Sequence, residues 1–218
     1  MSDEPTERLR QLVDGLPAAE VERVAAIVAR GEASDIEPAT PYFGDSFAGA
    51  ALLVVEEGFI VVRATFSELS RSMITCEAGP GRIVLPLASD EALFALEQAR
   101  LTPVSAVERD QLLSIPLVAQ RVVEQLAFTL SEKQEALASF AQTRHVERVR
   151  RKLLQLARSY GHVVRDGIRI DFPITHALLA EMIGSSRETV TRALEALTRE
   201  GAVVRHGSSY RLLGSPDV

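Results

Sequence analysis

A short polar stretch near the end of the chain, RETVTR at residues 187–192, carries the side chains best suited to chemistry. An arginine can donate two hydrogen bonds to one guanine, and a glutamate can accept one from cytosine. Arg187, Glu188 and Arg192 are therefore candidates for reading base edges in the major groove of DNA. Nearby hydroxyls and an imidazole are candidates for contacts with the DNA backbone: Thr175, Ser186, Thr189, Thr191 and His206.

Two helices joined by a sharp turn would position this stretch. Apolar residues recur at helical spacing on both sides of Gly184, a residue type that can end a helix with positive φ. Ser185 is a possible cap for the second helix, with Glu188 placed to complete a capping box. The pattern predicts a helix-turn-helix, although a plain helical hairpin inside a core has the same periodicity. The apolar positions are Leu178, Leu179, Met182, Ile183, Val190, Ala193, Leu194 and Leu197.

Short β-prone runs surround the two helices, at 163–164, 168–171, 202–205 and 210–213, with turns at 166–167 and at Gly207. An amphipathic helix over 145–160 precedes them and carries Arg148, Arg150, Arg151 and Lys152. We expect this helix to pack under the helix-turn-helix. Residues 144–218 are thus predicted to form a winged helix-turn-helix domain.

Residues 146–213 closely resemble the DNA-binding domain of the cyclic AMP receptor protein and fumarate-nitrate regulator (Crp/Fnr) family of bacterial transcription regulators. The resemblance rests on RETVTR, the Gly and Ser before it, and the Leu-x-x-Leu-x-x-x-Gly run after it. It implies a sequence-specific regulator with double-stranded DNA and RNA polymerase as partners. The sequence contains no G-x-S-x-G, P-loop, H-E-x-x-H, C-x-x-C or G-x-G-x-x-G pattern, so we expect no enzyme activity.

The charge is divided between the two parts of the chain. The net charge is −6, yet residues 1–143 contain 11 Lys and Arg against 22 Asp and Glu, whereas residues 144–213 contain 13 against 7. Neutralisation of phosphates by basic side chains supplies most non-specific affinity for DNA. The division therefore favours a DNA-binding domain joined to an acidic sensor.

The first half changes from helical to β-like patterning. Two short helices are predicted over 3–14 and 17–30, followed by β-prone runs at 51–56, 59–66, 73–77, 83–87 and 104–107. Turns at Glu57-Gly58 and Gly79-Pro80-Gly81 separate several of these runs. Residues 1–112 are predicted to form an antiparallel β-roll that in outline resembles the family's cyclic-nucleotide-binding-like sensor domain.

The sensor half departs from relatives that bind cyclic nucleotides. Leu85-Pro86 stands where the family has Gly-Glu, and Asp90-Glu91 lies near the expected phosphate-binding arginine. Two carboxylates would repel a cyclic phosphate, because like charges in a partly desolvated site are destabilising. We expect that cyclic AMP is not the effector, and that an unknown small molecule or no effector at all takes its place.

Cys76 is the only cysteine, which excludes an internal disulfide and a four-cysteine metal or iron–sulfur site within one chain. Some relatives hold haem through a sensor-domain Cys or His, but all four histidines lie in the C-terminal part. A lone cysteine in a β-run usually acts as a small apolar residue. We therefore expect no cofactor and no metal.

A long helix over 114–140 links the two halves. Its apolar positions alternate in steps of four and three, which is typical of a coiled-coil seam. A seam this narrow needs a partner helix, and a second copy is the simplest one; the alternative is a helix packed on its own β-roll. The seam residues are Ala119, Val123, Leu126, Leu130, Lys133, Leu137 and Phe140.

Taken together, the predicted fold class is α+β: a β-roll at 1–112, a dimerisation helix at 113–143 and a winged helix-turn-helix at 144–218. We expect a homodimer on palindromic sites. The apolar runs fall short of the ~20 residues of a membrane helix, and the charged N-terminus lacks a signal-peptide core, so we expect a cytoplasmic protein with no membrane partner. The alternatives are a constitutive regulator whose sensor has lost its ligand, and a ligand-binding or protein-interaction module whose helix-turn-helix serves assembly.

Overall fold

The computed structural model describes residues 8–66, 71–139, 145–207 and 209–213. The chain divides into two compact units, residues 1–132 and 133–218. The domain limits predicted at 112 and 143 stay predictions.

Two antiparallel sheets and the helices around them form the first unit. The helices are α1 (Arg10–Val13), α2 (Ala18–Val28), α3 (Ala106–Leu113) and the start of α4 (Pro116–Ser139), with a short 3₁₀ helix at Gly44–Phe47. The strands are β1 (Ser34–Ile36), β2 (Leu52–Glu57), β3 (Ile60–Phe66), β4 (Arg71–Ala78), β5 (Ile83–Val84), β6 (Glu91–Ala95) and β7 (Ala99–Val104). One sheet has the order β1-β7-β2-β5 and the other β4-β3-β6.

Strand β2 separates two hydrophobic cores. Leu53 and Val55 face the interior of the roll, where they pack with residues of both sheets. Leu52 and Val54 point the other way, because successive side chains of a strand alternate between its faces, and they pack with α1, α2 and the helices that follow β7. The predicted β-roll is confirmed in this arrangement of two sheets around one interior.

The hairpin between β2 and β3 depends on Gly58. Its φ is +75°, and a Cβ at this position would lie 2.4 Å from the carbonyl oxygen of Gln98. Only glycine fits both the backbone conformation and this close approach. The turn predicted at Glu57-Gly58 is confirmed.

Two of the predicted β-prone runs differ from the strands of the structure, and three strands are not predicted in full. The run predicted over 104–107 ends at Val104, because Ser105 and Glu108 form a capping box that begins α3. Only Ile83 and Val84 of the run at 83–87 pair in a sheet, and β1, β6 and most of β7 were not predicted. Strand β6 begins at the charged residue Glu91, which hides the alternation of its buried positions.

The long helix α4 uses two of its faces differently. Val118 and Val122 are buried in the core of their own unit. Gln125 is also buried, where its side chain accepts from the Ile83 amide at 3.0 Å and donates to the Gly81 carbonyl at 3.1 Å. Of the predicted seam, Phe140 and the side chain of Leu137 lie outside the described residues.

The described part of the second unit contains the end of α4, three further helices and a four-stranded antiparallel sheet. The helices are α5 (His145–Tyr160), α6 (His176–Ile183) and α7 (Arg187–Arg199), and the strands are β8 (Gly161–Val164), β9 (Gly167–Ile170), β10 (Val203–His206) and β11 (Ser209–Leu212). The sheet order is β10-β11-β9-β8. The predicted winged helix-turn-helix is confirmed, with strand limits shifted by one or two residues.

Candidate nucleic-acid interface

The turn between α6 and α7 sets the angle of the second helix. Gly184 ends α6 with φ 60° and ψ 48°, the left-handed conformation that glycine tolerates. The amide of Ser185 donates to the Ala180 carbonyl at 2.9 Å, which closes the last turn of α6. At the other end of α6, the Thr175 hydroxyl accepts from the Leu178 amide at 3.0 Å and caps the helix.

The cap of α7 lies one residue later than predicted. Ser186, not Ser185, accepts from the Thr189 amide at 3.2 Å, and its hydroxyl also lies 2.9 Å from the Thr189 hydroxyl. The third helical position is therefore Thr189 rather than Glu188, so the predicted capping box is wrong. Ser185 lies with its hydroxyl 3.4 Å from His145 Nδ1 instead.

The apolar faces of both helices are buried, as the spacing predicted. Every predicted apolar position, from Leu178 on α6 to Leu197 on α7, belongs to the buried core of this unit. Burial of that face turns the opposite face of α7 outward. Arg187, Glu188 and Arg192 are exposed on the first two turns of α7, so the structure brings the three predicted base-reading residues together on the outer side of one helix.

A polar cluster beside these residues was not predicted. His176, the first residue of α6, has its Nδ1 2.8 Å from the Thr191 hydroxyl and its Nε2 3.5 Å from a guanidinium nitrogen of Arg205 on β10. The Thr191 hydroxyl also donates to the Arg187 carbonyl at 2.9 Å. Burial lowers the pKa of His176, and the charges of Arg205 and Arg187 lower it further, against the opposing effect of Glu195.

The other predicted backbone contacts have different surroundings. The hydroxyls of Thr175 and Ser186 serve as helix caps, and Thr189 bonds to Ser186. His206 is exposed at the end of β10, opposite Ser209 across the turn at Gly207. Ser208 lies outside the described residues. As contacts to DNA, all five stay predictions: Thr175, Ser186, Thr189, Thr191 and His206.

Arg148 is buried, which its place among other basic residues of the sequence does not indicate. It lies on α5 among basic residues, yet it is only 5% exposed and donates to the carbonyl oxygens of Ile183 and Gly184. A cation that satisfies the last carbonyls of a helix is favourable there, because those groups have no partner within the helix. Burial lowers the pKa of Arg148.

Two other basic residues of α5 form ion pairs. Arg150 pairs with Glu200 and Glu147, and Arg151 pairs with Glu147 at 3.4 Å. Much of the positive charge of α5 is therefore engaged within the protein. The exposed cations at the start of α7 are better placed to face a ligand.

In the first unit, Glu91, Arg82 and Arg100 each have partners within the protein. The Glu91 carboxylate accepts from the Thr75 hydroxyl at 2.8 Å and from the Ala88 amide at 3.1 Å. Arg100 pairs with Asp35 at 3.1 Å, and the Arg82 guanidinium lies 4.7 Å from the centre of the Phe128 ring. The two arginines are thus engaged within the protein.

Cys76 is half-buried on β4 and packs against the interior of the roll. Within the part of the chain that the structure describes, no group of three or more His, Cys, Asp or Glu could hold a metal ion. None of the described helices is long and apolar enough to cross a membrane.

Comparison with known proteins gives matches to both units. The model of the Crp-like helix-turn-helix domain matches residues 147–214. The cyclic AMP receptor protein of Thermus thermophilus is 32% identical over 178 residues, which cover 75% of each chain. A CRP-like cAMP-activated global transcriptional regulator of Mycobacterium tuberculosis is 25% identical over 199 residues, or 88% of each chain.

Solved structures extend the likeness over nearly the whole fold. A mutant of CooA from Carboxydothermus hydrogenoformans matches with a TM-score of 0.73 and 15% identity, covering 95% of this chain and 91% of that one. At that identity the likeness concerns the fold alone.

Proposed function

The chain belongs to the Crp/Fnr family of DNA-binding transcription regulators, and on that premise we propose that it binds palindromic sites as a homodimer joined through α4. Each protomer inserts α7 into a major groove. The half-site centres are spaced by about one helical turn, ~10–10.5 base pairs, because both recognition helices must meet the same side of the duplex.

The single observation that carries the dimer is an apolar stripe on α4 beside the face that packs on its own unit. Val123 is 63% exposed, Leu126 37% and Leu130 58%. Because these positions are separated by three and four residues, they line one edge of the helix at coiled-coil spacing. Large apolar side chains in a row on a helix favour a protein partner, and a second α4 offers the same stripe in return.

We assign the contacts with base edges to the exposed residues at the start of α7. Arg187 and Arg192 are suited to guanine and Glu188 to cytosine, and the chain contains no asparagine and α7 no glutamine, the usual bidentate partners of adenine. G·C pairs should therefore dominate each half-site. With the capping role now assigned to Ser186, the Glu188 carboxylate is exposed and available for this purpose.

Phosphate contacts are assigned to Ser186, Thr189, Thr175 and His206, around the start of α7 and at the wing; Thr191 would join them only by exchanging its hydrogen bond to the Arg187 carbonyl. RNA polymerase is the expected protein partner of the bound dimer. We propose no enzyme activity, a cytoplasmic location and no cofactor; the relatives are themselves transcription regulators.

The effector proposal follows from the sensor unit. Two of the relatives are named for cyclic AMP, but this chain has an exposed Leu85 followed by Pro86 and a fixed Glu91 carboxylate where a cyclic phosphate would need cations. We therefore assign the sensor a different small molecule or none.

Titration of specific and scrambled duplexes tests the base-reading residues. Arg187→Ala and Arg192→Ala should each cost about 1–3 kcal/mol per half-site on the specific duplex and relax the preference at one base pair. Arg199→Ala is the matched control, because it removes the same charge from the exposed last turn of α7. It should weaken both duplexes alike and reduce the salt dependence.

Two results would contradict the proposal. If Arg187→Ala and Arg192→Ala weaken specific and scrambled DNA equally, these residues only position the protein. If the wild-type protein retains no DNA at all at low salt, the alternative of an assembly module is favoured.

A further inference from the structure

One imidazole joins three elements of the DNA-binding unit. His176 begins α6, Thr191 lies in the second turn of α7, and Arg205 lies on β10. The ring's Nδ1 is 2.8 Å from the Thr191 hydroxyl, and its Nε2 is 3.5 Å from Arg205. The ring therefore spans the first helix of the helix-turn-helix, the recognition helix and the wing.

The hydrogen bonds around Thr191 determine where the ring carries its proton. The Thr191 hydroxyl donates its one hydrogen to the Arg187 carbonyl at 2.9 Å. His176 Nδ1 must then donate to the Thr191 oxygen, which leaves Nε2 as an acceptor in the neutral ring. Nε2 faces the Arg205 guanidinium, a group that can only donate. The neutral Nδ1–H tautomer satisfies all three side chains.

The charged neighbours favour the same neutral state. Arg205 on the wing and Arg187 on α7 add to burial in lowering the pKa of His176, whereas Glu195 on α7 raises it. A proton on Nε2 would remove the acceptor of Arg205 and place a second cation against it. Protonation of His176 would therefore disrupt the cluster.

We propose that His176 is a positioning residue for DNA recognition: its neutral Nδ1–H form holds the recognition helix, through Thr191, and the wing, through Arg205, in one fixed arrangement. The inference rests on the proposed readout of DNA by α7. Thr191 then acts through His176, since its hydrogen is already committed to the Arg187 carbonyl. Protonation loosens the arrangement and lowers the discrimination between specific and scrambled DNA.

The ring state can be measured without DNA. Nitrogen-15 NMR of the full-length protein should report the neutral Nδ1–H tautomer of His176 at neutral pH, with a titration midpoint below the ordinary value of about 6.5. The Nε2–H tautomer, or a midpoint at or above the ordinary value, overturns the inference. Because DNA is absent, this result does not depend on the proposed base readers.

The functional consequence is measured as a specificity ratio. Association constants are determined for a duplex selected from random DNA and for its scrambled version, at pH 7.5 and at about one pH unit below the His176 midpoint measured by NMR. The wild-type ratio should fall about threefold to tenfold in acid, the effect of losing one or two hydrogen bonds. General attraction of phosphates to protonated histidines affects both duplexes and cancels in the ratio.

Three variants separate positioning from folding. His176→Asn keeps a donor near Nδ1, so it should retain most of the specificity ratio at neutral pH and lose the pH dependence. His176→Ala should have a low specificity ratio that does not change with pH. His162→Gln, at an exposed imidazole on β8, should keep the wild-type pH dependence. A pH-independent wild-type ratio, or a His176→Asn ratio that still falls in acid, overturns the inference.

A double-mutant cycle adds a readout that loss of folding does not imitate. His176→Ala and Thr191→Val each break the same hydrogen bond, so the combined loss of specificity should be no greater than the larger single loss. Additive losses contradict the linkage. Absence of specific binding by the wild-type protein would instead refute the proposed function. The tautomer and titration midpoint of His176 measured by NMR do not depend on that outcome.

Discussion

Replacement of Leu130 is the sharpest perturbation of the proposed dimer. The residue is 58% exposed and does not belong to the hydrophobic core of its own unit. Complete burial of a leucine is worth about 1.5–3 kcal/mol, so covering the exposed part contributes about 1–2 kcal/mol in each protomer. Two-fold symmetry uses the residue twice, and Leu130→Ala should therefore weaken the dimer by about 2–4 kcal/mol, or roughly 30–800-fold in Kd.

Leu130→Asp should have a larger effect. The substitution removes the same apolar area and also places two carboxylates against each other in a desolvated seam, which costs several kcal/mol more. At micromolar concentrations we expect only monomer. Because the folded protomer exposes this position, the monomer should keep its fold.

Sedimentation over a range of concentrations measures these effects directly. Ser131→Asp is the matched control, since it adds the same charge at the next residue of the helix, which is exposed and lies outside the apolar stripe. The control should sediment as the wild type does. A Leu130→Asp protein that remains dimeric with the wild-type Kd would refute the assignment of α4 as the interface.

Three further predictions concern the two units separately. Cyclic AMP should produce no heat of binding in calorimetry, because Leu85-Pro86 and Glu91 stand where phosphate ligands are needed; a micromolar site would contradict this. Purified protein should show no haem absorbance, and Cys76→Ser should leave its spectrum and DNA affinity unchanged, whereas a strong band lost in the variant would establish a cofactor. Arg148→Met should lower the free energy of unfolding in urea by about 1–3 kcal/mol, since the last carbonyls of α6 lose a buried donor. The exposed control Arg151→Met should change it by less than about 0.5 kcal/mol. Equal effects would mean that the buried hydrogen bonds of Arg148 contribute nothing.

The helix-turn-helix could be predicted from sequence because its determinants are local. Gly184 is the residue type that tolerates the left-handed conformation of the turn. The apolar residues on either side of it repeat at helical spacing over two short segments. The burial of Val190 and Leu197 follows from that spacing alone. The sequence does not fix the position of the cap, since Ser185 and Ser186 are both good capping residues.

The contacts missed from sequence are those made between distant segments. Arg148 reads as one more exposed cation of α5, and only the packing of α5 against the end of α6 gives it carbonyl partners. His176 meets Thr191 and Arg205 from three different elements, with no shared spacing to reveal them. Strand β6 was missed for another reason, because its charged start at Glu91 concealed two buried positions.

Selection of bound sequences from random duplex DNA tests the central claim most directly. The full-length protein should enrich two-fold symmetric sites with G·C pairs in each half and half-site centres about one helical turn apart, ~10–10.5 base pairs. The Arg187→Ala protein should enrich the same spacing with a relaxed preference at one base pair in each half. Enrichment of single, non-repeated half-sites, or of no sequence at all, would contradict a dimer that reads DNA through α7.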